Sequence, residues 1–282
     1  MKEDSKVKHL LKWLKYVILS VVAIITLIPV IYVLFYSFKS NQELITGGGL
    51  LPRKWVFSNY SEVWKELNFS LYFYNSVVFA TISSGLSVFM GAMSGYVFAR
   101  TQFPGKRLLS LLIIGVMFVS LGPMTLFPKF KLAVDWGLTD SIFTIPLAAL
   151  YGLGASVFLY EGFVKSLGKE MDEAAIVDGA SYFKRFYRLT LPLMAPITAT
   201  FFLLEFIAEW NNYIFPLVMS IGNPDTKTLT VGVVELRNMG SGAAAWNLLL
   251  AGSMISVIPV LVVFIVLNRQ IVGGLAQGAV KG

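Results

Sequence analysis

Six apolar stretches, each of about 20 residues or more, leave this chain few folds to choose from. They run Tyr16–Phe38, Leu71–Ala99, Leu108–Phe127, Ile142–Phe163, Leu193–Ser220 and Ala243–Leu267. A helix rises about 1.5 Å per residue, so about 20 residues cross the hydrocarbon of a bilayer with every backbone group bonded internally. Only 14% of the residues are charged, where soluble domains carry roughly 25%. The expected fold is all-α, a polytopic membrane bundle of six transmembrane helices in which residues 1–282 make one domain.

The first stretch follows a basic arm, residues 1–15, holding Lys2, Lys6, Lys8, Lys12 and Lys15. Its apolar run is longer than a signal-peptide core and no A-x-A site follows, so it is expected to remain as an anchor. Six crossings place both termini on one face. Lys and Arg are in excess on that face, which makes it cytoplasmic. The net charge of +7 is therefore read as orientation beside a lipid bilayer, and no nucleic-acid partner is expected.

The chain has no cysteine, and its one histidine, His9, sits in the basic arm. Thiolate chemistry, a zinc site and a Ser-His-Asp triad all lack their residues, so no catalytic or metal site is expected. A Gly-x4-Gly-Lys-Ser/Thr phosphate loop is missing too, so the chain is not expected to hydrolyse ATP by itself.

Ser83, Ser87, Gly91 and Gly95 recur every fourth residue of the second stretch and make a small-residue face for close helix packing, within this chain or against a partner. Pro29, Pro123, Pro146, Pro196, Pro216 and Pro259 lie in apolar stretches, where each removes a backbone donor. In the fifth stretch, Glu205, Glu209, Asn212 and Pro216 are spaced to share one helix face, beside Trp210, Asn211 and Tyr213. No basic residue of that stretch can pair with either carboxylate. Two readings stand. Glu205, Glu209, Asn211, Asn212 and Tyr213 line a polar translocation path, Glu205 deepest, or Glu209 and Asn212 merely join helices.

Between the fourth and fifth stretches lies Lys165–Pro192, within a polar loop over 164–192. Its pattern predicts a helix from Gly168 to Asp178 with acids near its start, stopped by Gly179, then a second helix capped by Ser181. Ala175 and Gly179, four apart, are expected to leave a smooth face that settles into a cleft on another protein. Lys184, Arg185 and Arg188 hold the second helix at the membrane surface.

Glu173-Ala174-Ala175, three residues, Gly179, nine residues and Leu189-Thr190-Leu191-Pro192 resemble the E-A-A-x3-G-x9-I-x-L-P loop of ATP-binding-cassette importer permeases, with leucine at 189 for isoleucine. Phe206–Leu217 and the tail Gly274–Gly282, within a terminal segment over 268–282, are similar to carbohydrate permeases of the maltose-transporter type. The resemblance implies that Glu173, Ala174, Ala175, Asp178 and Gly179 contact an ATPase subunit. It also implies a second homologous permease subunit as heterodimer partner, two ATPase subunits that bind the ATP and Mg, and an extracytoplasmic sugar-binding protein that meets the Asn223–Ala245 loop. This chain itself is expected to hold no cofactor. An ion-driven secondary transporter would account for the two carboxylates but leaves the Glu173–Pro192 loop unexplained.

Overall fold

A computed structural model describes residues 2–66, 68–118, 122–148, 154–236 and 245–279, and among these every regular element is helical. Two compact units divide the chain: Met1–Phe69 with Val233–Val257, and Ser70–Gly232 with Ile258–Gly282.

In the first unit, α1 (Lys2–Tyr36) is followed by two short helices, α2 (Asn41–Thr46) and α3 (Ser58–Glu66). The apolar side chains of α1 from Val17 to Leu34 are largely exposed, so something outside this chain has to cover them, and their length and hydropathy suit a bilayer. Beyond α1 the chain is tied down by polar side chains. The buried Lys39 reaches the carbonyl of Gly49, and its ammonium stands 3.8 Å from the centre of the Tyr36 ring. Asn59, also buried, donates to the carbonyls of Ser37 and Lys39 at 2.8 and 2.9 Å and accepts from Asn247 at 2.9 Å. Helix α3 turns Val63 and Asn59 inward and leaves Trp64 half exposed.

The second unit contains α4 (Phe69–Arg100, of which Phe69 belongs to the first unit), α5 (Lys106–Phe118), α6 (Leu126–Asp135), α7 (Ile145–Ala148) and α8 (Ala155–Ser166). It continues through α9 (Glu170–Val177), α10 (Tyr182–Arg185), a π-turn over Phe186–Thr190, α11 (Leu191–Leu193), α12 (Ala195–Trp210) and α13 (Ile214–Met219). Then come α14 (Leu229–Leu236) and α15 (Trp246–Ala279), each shared between the units.

Gly91 and Gly95 of α4 lie against α8. A Cβ at Gly91 would meet Ser156 Oγ at 3.1 Å, and one at Gly95 would collide with the Tyr160 Cβ and meet the Glu161 backbone nitrogen at 2.9 Å. The glycine half of the small-residue face thus packs within the chain. Val88, Ala92, Tyr96, Tyr160, Val164, Phe186 and Met194 form the core around it. A second core gathers Phe79, Ala133, Ile142, Ile145, Phe215 and Met219.

Three helices among the described residues are long and apolar enough to cross a membrane: Lys12–Tyr36, Phe69–Arg100 and Trp246–Gln270. Tyr182–Leu193 with Ala195–Trp210, bent by 77°, makes a fourth if counted as one span. The third expected span, Leu108–Phe127, falls on α5 and the start of α6, and its residues 119–121 lie outside the described residues. The fourth, Ile142–Phe163, falls on α7 and α8, with 149–153 outside them.

The fifth differs from expectation. Its helix stops at Trp210 and resumes at Ile214, so Glu205 and Glu209 share a helix with each other but not with Asn212 and Pro216. Pro216 has no N–H to offer the carbonyl of Asn212, and its ring would press on that oxygen in a continuous helix. Side chains fill the gap: Asn211 donates to Ile207 O at 2.8 Å, and Asn212 Oδ1 accepts from Phe215 N at 3.4 Å.

Candidate docking site on the segment between α8 and α12

Helix α9 is built from local signals. Glu170, Asp172 and Glu173 occupy its first turn, where the positive end of the helix dipole favours them. Its end is a Schellman turn: Gly179 N bonds Ile176 O at 3.0 Å and Ala180 N bonds Ala175 O at 2.9 Å. Gly179 has φ of 73°, and a Cβ there would meet nothing within 4 Å. Glycine is needed for its backbone angle and not for room inside the chain. Ser181 then caps α10, its hydroxyl accepting from Lys184 N at 3.4 Å, as the sequence pattern requires.

One expectation is corrected. Ala175 is buried, with Asp172 three residues earlier on the same inward face, while Glu173, Ala174, Val177, Asp178 and Gly179 are exposed. The helix ends at Val177, so Gly179 lies beyond it and the four-residue spacing from Ala175 defines no shared face. The outward surface is larger than the sequence suggested: Val177 is 88% exposed, Phe183 74% and Tyr187 65%. Large apolar side chains left bare on a polar segment mark a contact surface. Phe183 and Tyr187 were signalled only by their four-residue spacing.

A charged cluster fixes α9 to the end of α4. Asp172 Oδ2 stands 2.6 Å from Arg100 Nε, and Asp172 Oδ1 stands 4.0 Å from Arg185 Nη1. The Tyr96 hydroxyl donates to Asp172 Oδ1 at 3.3 Å, and Arg100 Nη2 donates to Leu167 O at 2.9 Å and to Gly168 O at 3.3 Å. Tyr182 hydrogen-bonds Thr101 at 2.9 Å. Tyr96 packs on Tyr182 and Phe186, ring centres 5.0 and 5.3 Å away. Both charged side chains of the closest pair are about 6% exposed, so each needs the other to offset the cost of leaving water.

The polar residues of α12 form a second group. Glu209 is buried, Glu205 is half-buried, and Asn212 Nδ2 donates to Glu209 Oε2 at 3.1 Å. Glu209 is thus the more enclosed of the two carboxylates. Lys129 of α6 is near enough to act on Glu209 electrostatically, a partner invisible within the stretch itself. Asn211 is exposed and Tyr213 half-buried at the break. The structure therefore joins Glu209 with Asn212 and leaves Asn211 apart.

Comparison with known proteins gives the following. Residues 4–277 match the family described as "Binding-protein-dependent transport system inner membrane component". The melibiose/raffinose/stachyose import permease protein MelC of Bacillus subtilis is 31% identical over 237 residues, covering 83% of this chain and 84% of the relative. The diacetylchitobiose uptake system permease protein NgcG of Streptomyces coelicolor is 30% identical over 247 residues, covering 87% and 81%. Among solved structures, a bacterial ABC transporter involved in import of the acidic polysaccharide alginate aligns with a TM-score of 0.77 at 23% identity, over 93% of this chain and 96% of that one. That likeness speaks to the fold.

Proposed function

The chain belongs to the binding-protein-dependent transport system inner membrane component family, and from that premise we propose that it is the permease subunit of an ATP-driven sugar or oligosaccharide importer. The observation that carries the reading is α9, a short helix whose acidic and apolar face is bare while its inner face is clamped to the core. A surface like this suits a docking cleft on a separate ATPase. Glu173, Ala174, Asp178 and Gly179 would meet that subunit directly, Val177 and Phe183 would add apolar contact, and the buried Ala175 would support them from behind.

The remaining assignments follow from the same reading. The chain crosses the membrane six times with both termini and α9 in the cytoplasm. It pairs with a second related permease, two ATPase subunits bind and hydrolyse the nucleotide, and an external solute-binding protein delivers the sugar. MelC and NgcG carry oligosaccharide names, which supports sugar as cargo. Glu205, Glu209 and Tyr213 border the translocation path. The Glu209–Asn212 hydrogen bond favours a joining role for Asn212.

The test is reconstitution of this chain with its companion permease and ATPase in proteoliposomes, with loaded binding protein and labelled oligosaccharide. Uptake that requires both ATP and the binding protein supports the proposal. Uptake by this chain alone, driven by an ion gradient, refutes it.

A further inference from the structure

Helix α4 is the longest unbroken element of the second unit, and its two ends are held by different polar devices. Its 32 residues span about 48 Å at 1.5 Å per residue. At the carboxyl end, Arg100 and Tyr96 hold Asp172 of α9, and Arg100 also binds the carbonyls of Leu167 and Gly168, the link between α8 and α9. At the amino end, the buried Asn75 donates to the carbonyls of Asp225 and Lys227 at 2.7 and 2.8 Å. Ser76 Oγ accepts from Leu229 N at 2.7 Å. Between them the helix contains no proline, and Gly95 and Gly91 are seated against α8. The other route from the docking segment, through the π-turn and α12, is interrupted by the 77° bend.

We infer that α4 is the rod that joins the ATPase-docking helix to the Asp225–Leu229 segment, with Asp172–Arg100 as one joint and Asn75 as the other. The inference rests on the proposed function, which puts α9 on the cytoplasmic side. A helix of this length then places the Asp225–Leu229 segment across the bilayer, on the side where a loaded binding protein arrives. Contact there shifts the amino end of α4, and the clamp on Asp172 carries the shift to α9. The Asp172–Arg100 contact is an ion pair between two side chains that are each about 6% exposed. Asp172, Arg100 and Asn75 are positioning residues, since each side chain is buried against groups of this chain.

The experiment measures ATPase activity of the complete complex in nanodiscs, with and without loaded binding protein. The variants are Asp172→Asn/Arg100→Gln, which neutralises both charges of the closest pair together and leaves only the more exposed Arg185 charged in that cluster, and Asn75→Ala. Each is expected to keep basal hydrolysis and to lose stimulation by the binding protein, by a factor in the range of about 5–150 typical of coupling between sites. Combining all three substitutions is expected to lose no more than either variant, because one rod is already disconnected. Tyr96→Phe and Ser76→Ala, which remove one hydroxyl at opposite ends, are expected to lose part of the stimulation and serve if the stronger variants do not assemble. Normal stimulation in every assembled variant overturns the rod, as does loss of basal hydrolysis in step with stimulation, which makes these residues part of the docking surface only. A wild-type complex that retains no ATPase instead removes the underlying functional reading.

Discussion

Glu173→Lys is expected to abolish solute uptake while the chain still inserts and folds. Glu173 is exposed in the first turn of α9, and among the described residues it makes no ion pair that the substitution would break. The cost to the isolated chain is confined to placing a cation at the positive end of a helix dipole, about 0.3–1 kcal/mol. A site on the partner that accepts a carboxylate meets like charge instead, a penalty of several kcal/mol. The second term dominates, so the defect belongs to assembly. Gly179→Val acts beside it. The left-handed angle costs a branched residue about 1–2 kcal/mol, and the side chain projects from a face that is open in this chain, so it obstructs whatever docks there. Gly179→Asn, which tolerates the same backbone angle, is expected to keep more uptake than Gly179→Val. Uptake assays paired with membrane fractionation check both, and normal uptake with Glu173→Lys and with Gly179→Val contradicts the docking role.

Gly95→Leu is expected to leave no folded protein to extract. Its Cβ would strike the Tyr160 Cβ, with the Tyr160 carbonyl carbon at 3.0 Å and the Glu161 nitrogen at 2.9 Å. Those atoms are main chain or fixed to it, so no rotamer change relieves the clash. Helices α4 and α8 must part, and the core of Val88, Ala92, Tyr96, Tyr160 and Phe186 opens with them. Overpacking alone costs about 1–3 kcal/mol and more where backbones collide, against a total stability of about 5–15 kcal/mol. Gly91→Ala is the contrast: its nearest neighbours are the Ser156 Oγ at 3.1 Å and Cβ at 3.2 Å, and the hydroxyl can turn away. Size-exclusion profiles of detergent extracts are expected to show a peak for Gly91→Ala and none for Gly95→Leu. A normal peak for Gly95→Leu contradicts the α4–α8 packing.

What could be read from sequence was whatever neighbours along the chain decide. Acidic residues at one end of α9, Gly179 at the other and Ser181 two residues later fix two short helices by local hydrogen bonds alone. The long apolar stretches gave α1, α4 and α15 because length and hydropathy suffice there. Local spacing failed where an interruption intervened. The face drawn through Glu205, Glu209, Asn212 and Pro216 assumed a helix that Pro216 ends, and the Ala175–Gly179 face assumed a helix that stops at Val177. Contacts between distant residues left no trace in spacing at all. Arg100 and Asp172 meet across the α4–α9 junction, and Lys129 acts electrostatically on Glu209 from another helix. An acidic residue on the inward face of α9 was the available hint, since burial of Asp172 demands a cation.

The direct measurement of the central claim uses the absence of cysteine from this chain. A single Val177→Cys substitution, at a position 88% exposed on α9, is treated with a short bifunctional cross-linker in membranes that also contain the ATPase subunit. The expected result is a covalent adduct between the two chains that weakens when nucleotide drives the docked helices to a new position. No adduct, together with labelling of the same cysteine by an impermeant reagent added outside intact cells, would contradict the account.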